Sequence, residues 1–346
     1  MAKFVVTEEV QKLIDEGYLN VQKHPTADLW LYNYSKTCQI DKVWNDITCL
    51  CRGLIVDGSG NIVARPFKKF FNYEEIIDKS VIPDLPFKIY EKLDGSLGIL
   101  YWIDDKPHIT TKGSFVSEQG QHAEKILYSR YSQYFDELDR TKTYLFEIIW
   151  NEDHHCINYG NLDDIFLLAI IDTDTGEEED IYKWEHIFKC TKLYPNVKDW
   201  RVIRELYDGT NREGFVIKFS NNYRVKMKYE SYFRIHFLRC MLSEKYVLDF
   251  LMNDEEDKLR ETLGYLDEEN QITGLKILEK LKNMYKNLED ECRAFLDNLD
   301  NTLPKLEQIK LIDKQPNKGI LFQMFKNCPY TQIIWKTVKK QLKQHD

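Results

Sequence analysis

The pattern of hydrophobic and polar positions divides the chain into two parts. From about residue 28 to residue 230, short runs of β-branched and aromatic residues alternate with period two and are separated by turn dipeptides. Examples are residues 54–56, 87–93, 97–103 and 144–150. This part is predicted to be rich in β-sheet, with helices expected over residues 118–139 and 183–192, where apolar residues recur at helical spacing.

After about residue 240 the apolar residues recur three and four positions apart, which predicts amphipathic helices. Gly264, Gly274, Pro304 and the segment 315–319 are expected to end or separate them. The fold class is therefore predicted to be α+β. Two domains are expected: a mixed domain over residues 1–240 and an all-α domain over residues 241–346.

Composition narrows the class of protein. The 346 residues are 43% hydrophobic and 30% charged, which is typical of a globular protein. The longest uninterrupted apolar run, residues 165–171, is far shorter than the ~18 residues of a membrane-spanning helix, so no membrane segment is expected. Eight irregularly spaced cysteines and an acidic N-terminus predict a cytoplasmic protein with reduced thiols. The net charge of −9 argues against coating of nucleic acid by an overall basic field but leaves a local basic cleft open.

The strongest chemical signal is the segment 92–96, which reads Lys-Leu-Asp-Gly-Ser between two predicted strands. Strand alternation would place Lys92 and Asp94 on one face and Glu91 on the other. Taken alone, the segment is equally compatible with a hairpin turn that carries a surface lysine.

Three further patterns supply groups that a lysine attacking phosphorus would need. Residues 213–219 read Glu-Gly-Phe-Val-Ile-Lys-Phe. In residues 224–228, Arg-Val-Lys-Met-Lys, the three cations share one strand face, and a polyphosphate would be their natural partner. Glu147 lies within an otherwise apolar strand, where a carboxylate is costly to bury unless it meets a metal or a hydroxyl.

In this order and spacing, the patterns resemble the covalent nucleotidyltransferase superfamily of ATP-dependent ligases and mRNA capping enzymes. The closest resemblance is to the RNA ligase 1 family, of the bacteriophage T4 type, and it covers about residues 28–240. Segments 51–55, 65–72 and 226–236 carry the resemblance to that family in particular. The superfamily motifs I, Ia, III, IIIa, IV and V correspond to Lys92 and to residues 112–114, 146–147, 166–172, 213–214 and 226–228.

The resemblance implies a nucleotidyltransferase (adenylyltransferase) domain of antiparallel sheets with flanking helices. It implies an ATP-dependent RNA ligase that joins 5′-phosphate and 3′-hydroxyl RNA ends through a lysyl-AMP intermediate and an adenylylated RNA 5′ end. ATP and Mg²⁺ would be the cofactors, with Mn²⁺ able to substitute. By analogy, the helical domain would select the RNA substrate. RNA repair at a nicked tRNA anticodon loop is the expected task, in the host cytoplasm if the chain is phage-encoded.

The resemblance also implies a role for each site residue. Lys92 would be the nucleophile, Lys226 and Lys228 would contact the α-phosphate and the bound nucleotide, and Asp94 would order the loop. The remaining residues would bind the cofactor: Arg52 and Lys69 the β- and γ-phosphates, Lys112 a phosphate or metal, Glu91 the adenine edge, and Glu147 and Glu213 the metal and ribose.

Several assignments leave alternatives open. Lys68 could replace its neighbour Lys69, and Phe166 or Phe146 could stack on the adenine. Because like charges disfavour protonation, the nearby Lys226 and Lys228, together with Mg²⁺, are expected to lower the pKa of Lys92.

Rival functions use the same residues differently. A DNA ligase or a GTP-dependent capping enzyme would share the chemistry. These enzymes continue after motif V into an OB-fold, whereas the helical spacing of apolar residues after motif V in this chain argues against one. A third possibility is a non-catalytic RNA-binding module with a ligase-like fold. The segment 153–156, Asp-His-His-Cys, contains zinc-ligand types, but no second cluster completes a zinc site.

Overall fold

The computed structural model describes residues 2–150, 152–153, 156–264, 266 and 268–342, with residues 239–241 described by their backbone alone. The chain forms two compact units, Met1–Phe233 and Arg234–Asp346. The predicted domain boundary at residues 240 and 241 falls near the end of the helix Glu230–Met241, seven residues after the boundary between the units.

The described part of the first unit contains thirteen strands in three sheets. The strands are β1 (Leu19–Lys23), β2 (Leu29–Tyr34), β3 (Arg52–Asp57), β4 (Ile62–Ala64), β5 (Phe71–Asn72), β6 (Phe87–Lys92), β7 (Ser96–Ile103), β8 (Lys106–Thr111), β9 (Lys142–Ile149), β10 (Asp164–Asp172), β11 (Lys189–Cys190), β12 (Gly214–Phe219) and β13 (Arg224–Lys228). The sheet orders are β1-β2-β3-β4, β11-β10-β9-β7-β8 and β5-β13-β12-β6. All pairings are antiparallel except the two made by the two-residue strands β5 and β11.

Helices pack against the strands of these sheets. The helices of the first unit are α1 (Glu8–Asp15), α2 (Lys36–Ile40), α3 (Asp46–Leu50), α4 (Glu118–Arg130) and α5 (Ile203–Leu206), and α6 (Glu230–Met241) crosses the boundary between the units. Helix α4 packs its buried face, which includes Ala123 and Leu127, against Tyr144 and Phe146 of the second sheet. The predicted fold class, α+β with antiparallel sheets and flanking helices, is confirmed.

The hairpin between β7 and β8 forms where the sequence predicts it. Asp104 and Asp105 both adopt positive φ angles, of 46° and 66°. This is the conformation of a two-residue turn that matches the twist of the flanking strands. The predicted helix over residues 183–192 is wrong, because this segment contains only the end of a 3₁₀ turn (Ile181–Trp184) and the short strand β11.

The second unit is all-helical in its described part, as predicted. Its helices after α6 are α7 (Glu244–Met252), α8 (Glu256–Gly264), α9 (Glu268–Asp297), α10 (Lys305–Asp313), α11 (Lys318–Phe325) and α12 (Thr331–Leu342). Gly274 does not end a helix but lies buried within α9, where an added Cβ would come within 2.4 Å of the Leu263 side chain. The glycine therefore allows α8 and α9 to pack closely. None of the described helices is long and apolar enough to cross a bilayer.

Candidate active site

A cleft with a volume of about 420 Å³ lies between the second and third sheets of the first unit. Strands β6, β12 and β13 form one wall, and β7, β9 and β10 form the other. The predicted site residues that line this cleft are Arg52, Glu91, Lys92, Lys112, Glu147 and Lys226. The fold therefore brings together residues that are up to 174 positions apart in sequence.

Strand register sets Lys92 beside Lys228. Gly214 of β12 lies opposite Lys92 on one side and opposite Lys228 on the other. Its φ is +150°, and an added Cβ would lie 2.1 Å from the carbonyl oxygen of Met227, so only glycine fits. The carboxylate of the preceding Glu213 thereby reaches both lysines.

Glu213 lies between these two lysines and pairs with both. Its Oε2 lies 2.7 Å from Lys92 Nζ, and its Oε1 lies 2.7 Å from Lys228 Nζ. The Glu213 side chain is only 2% exposed. A buried carboxylate of this kind is tolerated because two ammonium groups compensate its charge.

The prediction that neighbouring lysines lower the pKa of Lys92 is wrong. Burial disfavours the charged lysine, but the carboxylates of Glu213 and Glu147 outweigh it and raise the pKa of Lys92 above its ordinary value. The sequence shows the neighbouring lysines but not how closely Glu213 approaches the nucleophile. Lys92 is therefore an ammonium here and must lose a proton before it can attack.

The lysine with a lowered pKa is Lys226 instead. Burial is the largest cause, followed by the positive charges of Lys69, Lys92 and Arg52, and together they lower the pKa of Lys226 to about 7. Its ammonium lies 5.5 Å from the ring centre of Phe70. Lys226 has no ion-pair partner within the described part of the chain, which leaves it available to an anionic ligand.

Glu147 faces the cleft from the second sheet. Its Oε1 accepts a hydrogen bond of 2.9 Å from the backbone N–H of Gly95. Burial raises the pKa of Glu147 to about 7, although the positive charge of Lys92 acts in the opposite direction. The carboxylate is therefore poised to change charge near neutral pH.

Asp94 holds the loop that follows the nucleophile. Its Oδ2 accepts hydrogen bonds from the backbone N–H groups of Cys156 (2.7 Å) and Ile157 (3.2 Å), and its Oδ1 accepts one from the Tyr232 hydroxyl (2.9 Å). Asp94 does not line the cleft. Its contacts are those of a positioning residue rather than of a group that touches the reacting atoms.

A second group of cations surrounds the hydroxyl of Tyr34, a residue that no sequence pattern singled out. Lys112 Nζ lies 3.3 Å from that hydroxyl. Burial alone would raise the pKa of Tyr34, but Arg52, Lys112 and Lys69 together lower it below its ordinary value. Nη1 of Arg52 is buried and has no hydrogen-bond partner among the described residues. Such an excess of positive charge favours a bound anion.

The structure separates the two adjacent lysines that the sequence left as alternatives. The Lys69 ammonium lies 5.1 Å from the ring centres of both Trp44 and Phe71, beside the Tyr34 group. Lys68 is exposed to solvent. Lys69 therefore belongs to the cation group, and Lys68 does not.

The predicted face of three cations on β13 is partly neutralised. Arg224 lies 2.5 Å from Glu178 Oε2, and Lys218 lies 2.7 Å from the same oxygen. Glu178 follows β10 in a stretch of four acidic residues, which hides its pairing from sequence analysis. Arg224 is thus held by a carboxylate and is not free to bind phosphate.

The two aromatic candidates for stacking on a base differ in exposure. Phe146 is fully buried, with its ring centre 5.0 Å from that of Phe188, so it cannot stack on a ligand and that alternative is wrong. Phe166 is half-buried and lies opposite Glu147 in the sheet register. Glu91 lines the cleft, with Oε1 3.4 Å from the Tyr194 hydroxyl and 3.9 Å from Arg212 Nε.

The site offers two carboxylates, Glu147 and Glu213, to a metal ion. Among the described residues, no three His, Cys, Asp or Glu side chains are arranged to hold one. Mg²⁺ is commonly bound by one or two carboxylates together with substrate phosphates. His154 and His155, which carry the alternative zinc prediction, lie outside the described residues.

Comparison with known proteins identifies a protein family and several similar proteins. Residues 50–234 match the model of a protein family described as RNA ligase. The chain is 24% identical over 273 residues to a putative bifunctional polynucleotide kinase/RNA ligase of Autographa californica nuclear polyhedrosis virus, covering 68% of this chain but only 37% of that protein. It is 22% identical over 368 residues to an RNA ligase of Rhodothermus phage RM378, covering 84% of this chain and 80% of the phage protein. Among solved structures it is similar to an archaeal ATP-dependent RNA ligase, with 13% identity, a TM-score of 0.48, and coverage of 80% of this chain and 79% of that one.

Proposed function

The chain belongs to the RNA ligase family, and on that premise we propose that it is an ATP-dependent RNA ligase with Lys92 as the adenylylated residue. The observation that carries the proposal is the position of Lys92. Its ammonium lies in the cleft, 2.7 Å from Glu213, and the cations Lys226 and Arg52 line the same cleft. A lysine held this way is suited to attack a phosphorus atom whose charge is stabilised by its neighbours.

In the first step, Lys92 Nζ attacks the α-phosphorus of ATP. A phosphorus–nitrogen bond forms, the bond to the bridging oxygen breaks, and pyrophosphate leaves. The nearest acceptor for the lysine proton is Glu213 Oε2, at 2.7 Å. Lys226 and Lys228 neutralise charge on the α-phosphate, while Arg52, Lys69 and Lys112 hold the leaving pyrophosphate.

In the second step, an oxygen of the RNA 5′-phosphate attacks the same phosphorus. The phosphorus–nitrogen bond breaks, Lys92 regains a proton, and an adenylylated RNA end forms. In the third step, the 3′-hydroxyl of a second RNA end loses its proton and attacks the 5′-phosphate, and AMP leaves. The RNA phosphodiester is thereby sealed.

ATP and Mg²⁺ are the proposed cofactors, with Mn²⁺ able to substitute. Glu147 and Glu213 would hold the metal together with the nucleotide phosphates. When bound, the metal supplies charge neutralisation at the transferring phosphate. Phe166 and Glu91 are the proposed contacts to the adenine.

The helical unit is proposed to select the RNA substrate. Repair of broken RNA, including tRNA nicked in the anticodon loop, is the proposed task, carried out in the cytoplasm. The chain spans 37% of the length of the Autographa californica nuclear polyhedrosis virus protein described above. The activity of the whole protein is therefore also a proposal.

Incubation with α-labelled ATP and Mg²⁺, followed by denaturing separation, tests the proposal. We expect wild type to retain an acid-labile label, Lys92→Ala to retain none, and 5′-phosphorylated RNA but not DNA to discharge the label. Labelling by GTP would instead indicate a capping enzyme, and discharge by DNA a DNA ligase. Absence of label with either nucleotide would leave a non-catalytic RNA-binding module.

A further inference from the structure

A second cavity, with a volume of about 670 Å³, lies beside the segment that joins β4 to β5. Its lining includes Lys68, Lys69, Phe71, Asn221, Asn222 and Tyr223, and we call it the side groove. The side groove shares four wall residues with the nucleotide cleft, namely Phe67, Phe70, Glu178 and Arg224. The two cavities are therefore direct neighbours in the first unit.

The charge that the side groove presents is positive. Lys68 is exposed and has no ion-pair or hydrogen-bond partner within the described part of the chain. Asp46 and Glu178 are the acids among the lining residues, and Glu178 is neutralised by Lys218 and Arg224. An anionic ligand would therefore meet an uncompensated ammonium group here.

Aromatic and amide side chains complete the groove. Phe71 and Tyr223 are both half-buried, so part of each ring is available for contact. Asn221 and Asn222 are exposed at the turn between β12 and β13. Cations combined with accessible rings and amides are typical of surfaces that bind single-stranded nucleic acid.

The chemistry of the proposed function fixes where the RNA end must approach. Lys92 is the entering group in the first step and the leaving group in the second. Because displacement at phosphorus is in line, pyrophosphate and the RNA 5′-phosphate must both lie on the side away from Lys92. That side is assigned above to Arg52, Lys69 and Lys112.

Lys69 links that phosphate side to the side groove. It lines the groove, and its ammonium lies 5.1 Å from the ring centre of Phe71, which also lines the groove. We propose that the side groove binds the first nucleotides of the RNA strand that carries the 5′-phosphate. Lys68 contacts a backbone phosphate of that strand, and Tyr223 stacks on one of its bases. The inference rests on the proposed function and adds to it the path of the donor RNA.

The test isolates the second step. Purified adenylylated protein is mixed with 5′-phosphorylated RNA donors of one, three and six nucleotides, and the KM and kcat for AMP transfer are measured. The variants are Lys68→Ala, Lys68→Glu and Tyr223→Ala, each compared with its own rate of adenylylation by ATP. Lys125→Ala is the matched control, because Lys125 is an exposed lysine on α4 that does not line either cavity.

We expect Lys68→Ala and Tyr223→Ala each to raise the KM for the six-nucleotide donor about fivefold, which corresponds to the loss of one phosphate contact or one stacked base. Lys68→Glu should raise it further, and the loss should grow with donor length. Lys125→Ala should match wild type at every length. Because Lys68 is exposed, a folding defect does not explain a length-dependent loss in its variants.

Two results would overturn the inference. One is a KM for the six-nucleotide donor that is the same in all variants as in wild type. The other is a loss that is equal for donors of every length. If wild type forms the adenylylated intermediate and transfers AMP but either of these results is found, the proposed function stands without this RNA path. If wild type fails to adenylylate or to transfer AMP, both the proposed function and the RNA path are refuted.

Discussion

At the scale of single residues, the charge of the cleft is governed by two carboxylates, the buried Glu213 and the half-buried Glu147, rather than by its lysines. Glu213 holds Lys92 and Lys228 at 2.7 Å each, and Glu147 adds a second negative potential from the opposite wall. Lys92 is consequently held as an ammonium, while Lys226 has a pKa of about 7. The residue that carries the proposed chemistry is thus not the one whose pKa is lowered.

Glu147→Gln should stabilise the protein at alkaline pH. The folded-state pKa of Glu147, about 7, lies above that of an unfolded glutamate, so the folded protein binds the proton more tightly. The stability that this gives is fully present below the unfolded pKa and is lost as pH rises through 7. Removing the carboxyl should therefore raise the melting temperature by about 3 °C at pH 8 and much less at pH 5.

Thermal unfolding at both pH values checks this prediction, and Glu147→Asp is a suitable control because it keeps the charge. An equal or lower melting temperature for Glu147→Gln at pH 8 would contradict it. Adenylylation should fall in the same variant, because the proposed metal site loses a ligand.

Sequence analysis predicted which residues form the site more successfully than it predicted which residues they contact. The alternation of β6 and β13, together with the resemblance, placed Lys92 and Lys226 at one cleft. It missed Tyr34 and Glu178, because the role of each depends on charged partners that are distant in the chain. For the same reason it misjudged the pKa of Lys92.

At the scale of elements, the third sheet is joined to the acidic segment after β10 by a row of ion pairs. Lys88, Lys218 and Arg224 lie side by side in the register of β6, β12 and β13. Glu178 meets Lys218 and Arg224, and Asp180 meets Lys88 at 3.2 Å. Because Glu178 pairs with Ile171 of β10, these contacts connect the two sheets that enclose the cleft.

Glu178→Gln should lower the free energy of unfolding by about 3 kcal/mol, because it leaves two cations without their buried partner. The Glu178 side chain is 5% exposed, so solvent cannot replace the carboxylate. Denaturant unfolding checks the value. In a double-mutant cycle, Arg224→Met added to Glu178→Gln should recover part of the loss, and strictly additive losses would contradict the ion-pair account.

Periodicity predicted the elements where local signals agree with packing. The β7–β8 hairpin and the start of α10 after Pro304 follow their turn residues. Gly274 and the segment 183–192 do not, since Gly274 serves close helix packing and Lys189–Cys190 of that segment pair as an edge strand with β10. Both exceptions are set by tertiary contacts that periodicity does not register.

At the scale of the whole molecule, the two units have separate hydrophobic cores. The helical unit is built around residues such as Leu281 and Ile334, both fully buried. All residues assigned to nucleotide chemistry lie in Met1–Phe233. The chemistry and the proposed substrate selection are therefore assigned to different parts of the chain.

Leu281→Ala should destabilise the helical unit by about 3 kcal/mol, because it leaves a cavity in a closely packed core. Adenylylation by ATP at 25 °C should stay within about twofold of wild type, since Leu281 lies outside the unit that binds the nucleotide. Thermal unfolding and single-turnover labelling measure the two effects. A loss of adenylylation in proportion to the loss of stability would contradict the assignment.

The most direct test of the account is the position of the covalent AMP. Protein labelled with ATP is digested at a pH that preserves the phosphoramidate, and the modified peptide is located by mass spectrometry. The account predicts AMP on Lys92, with none on Lys226 despite its lower pKa, and no modified peptide in Lys92→Arg. AMP on Lys226, or modification that persists in Lys92→Arg, would contradict the account.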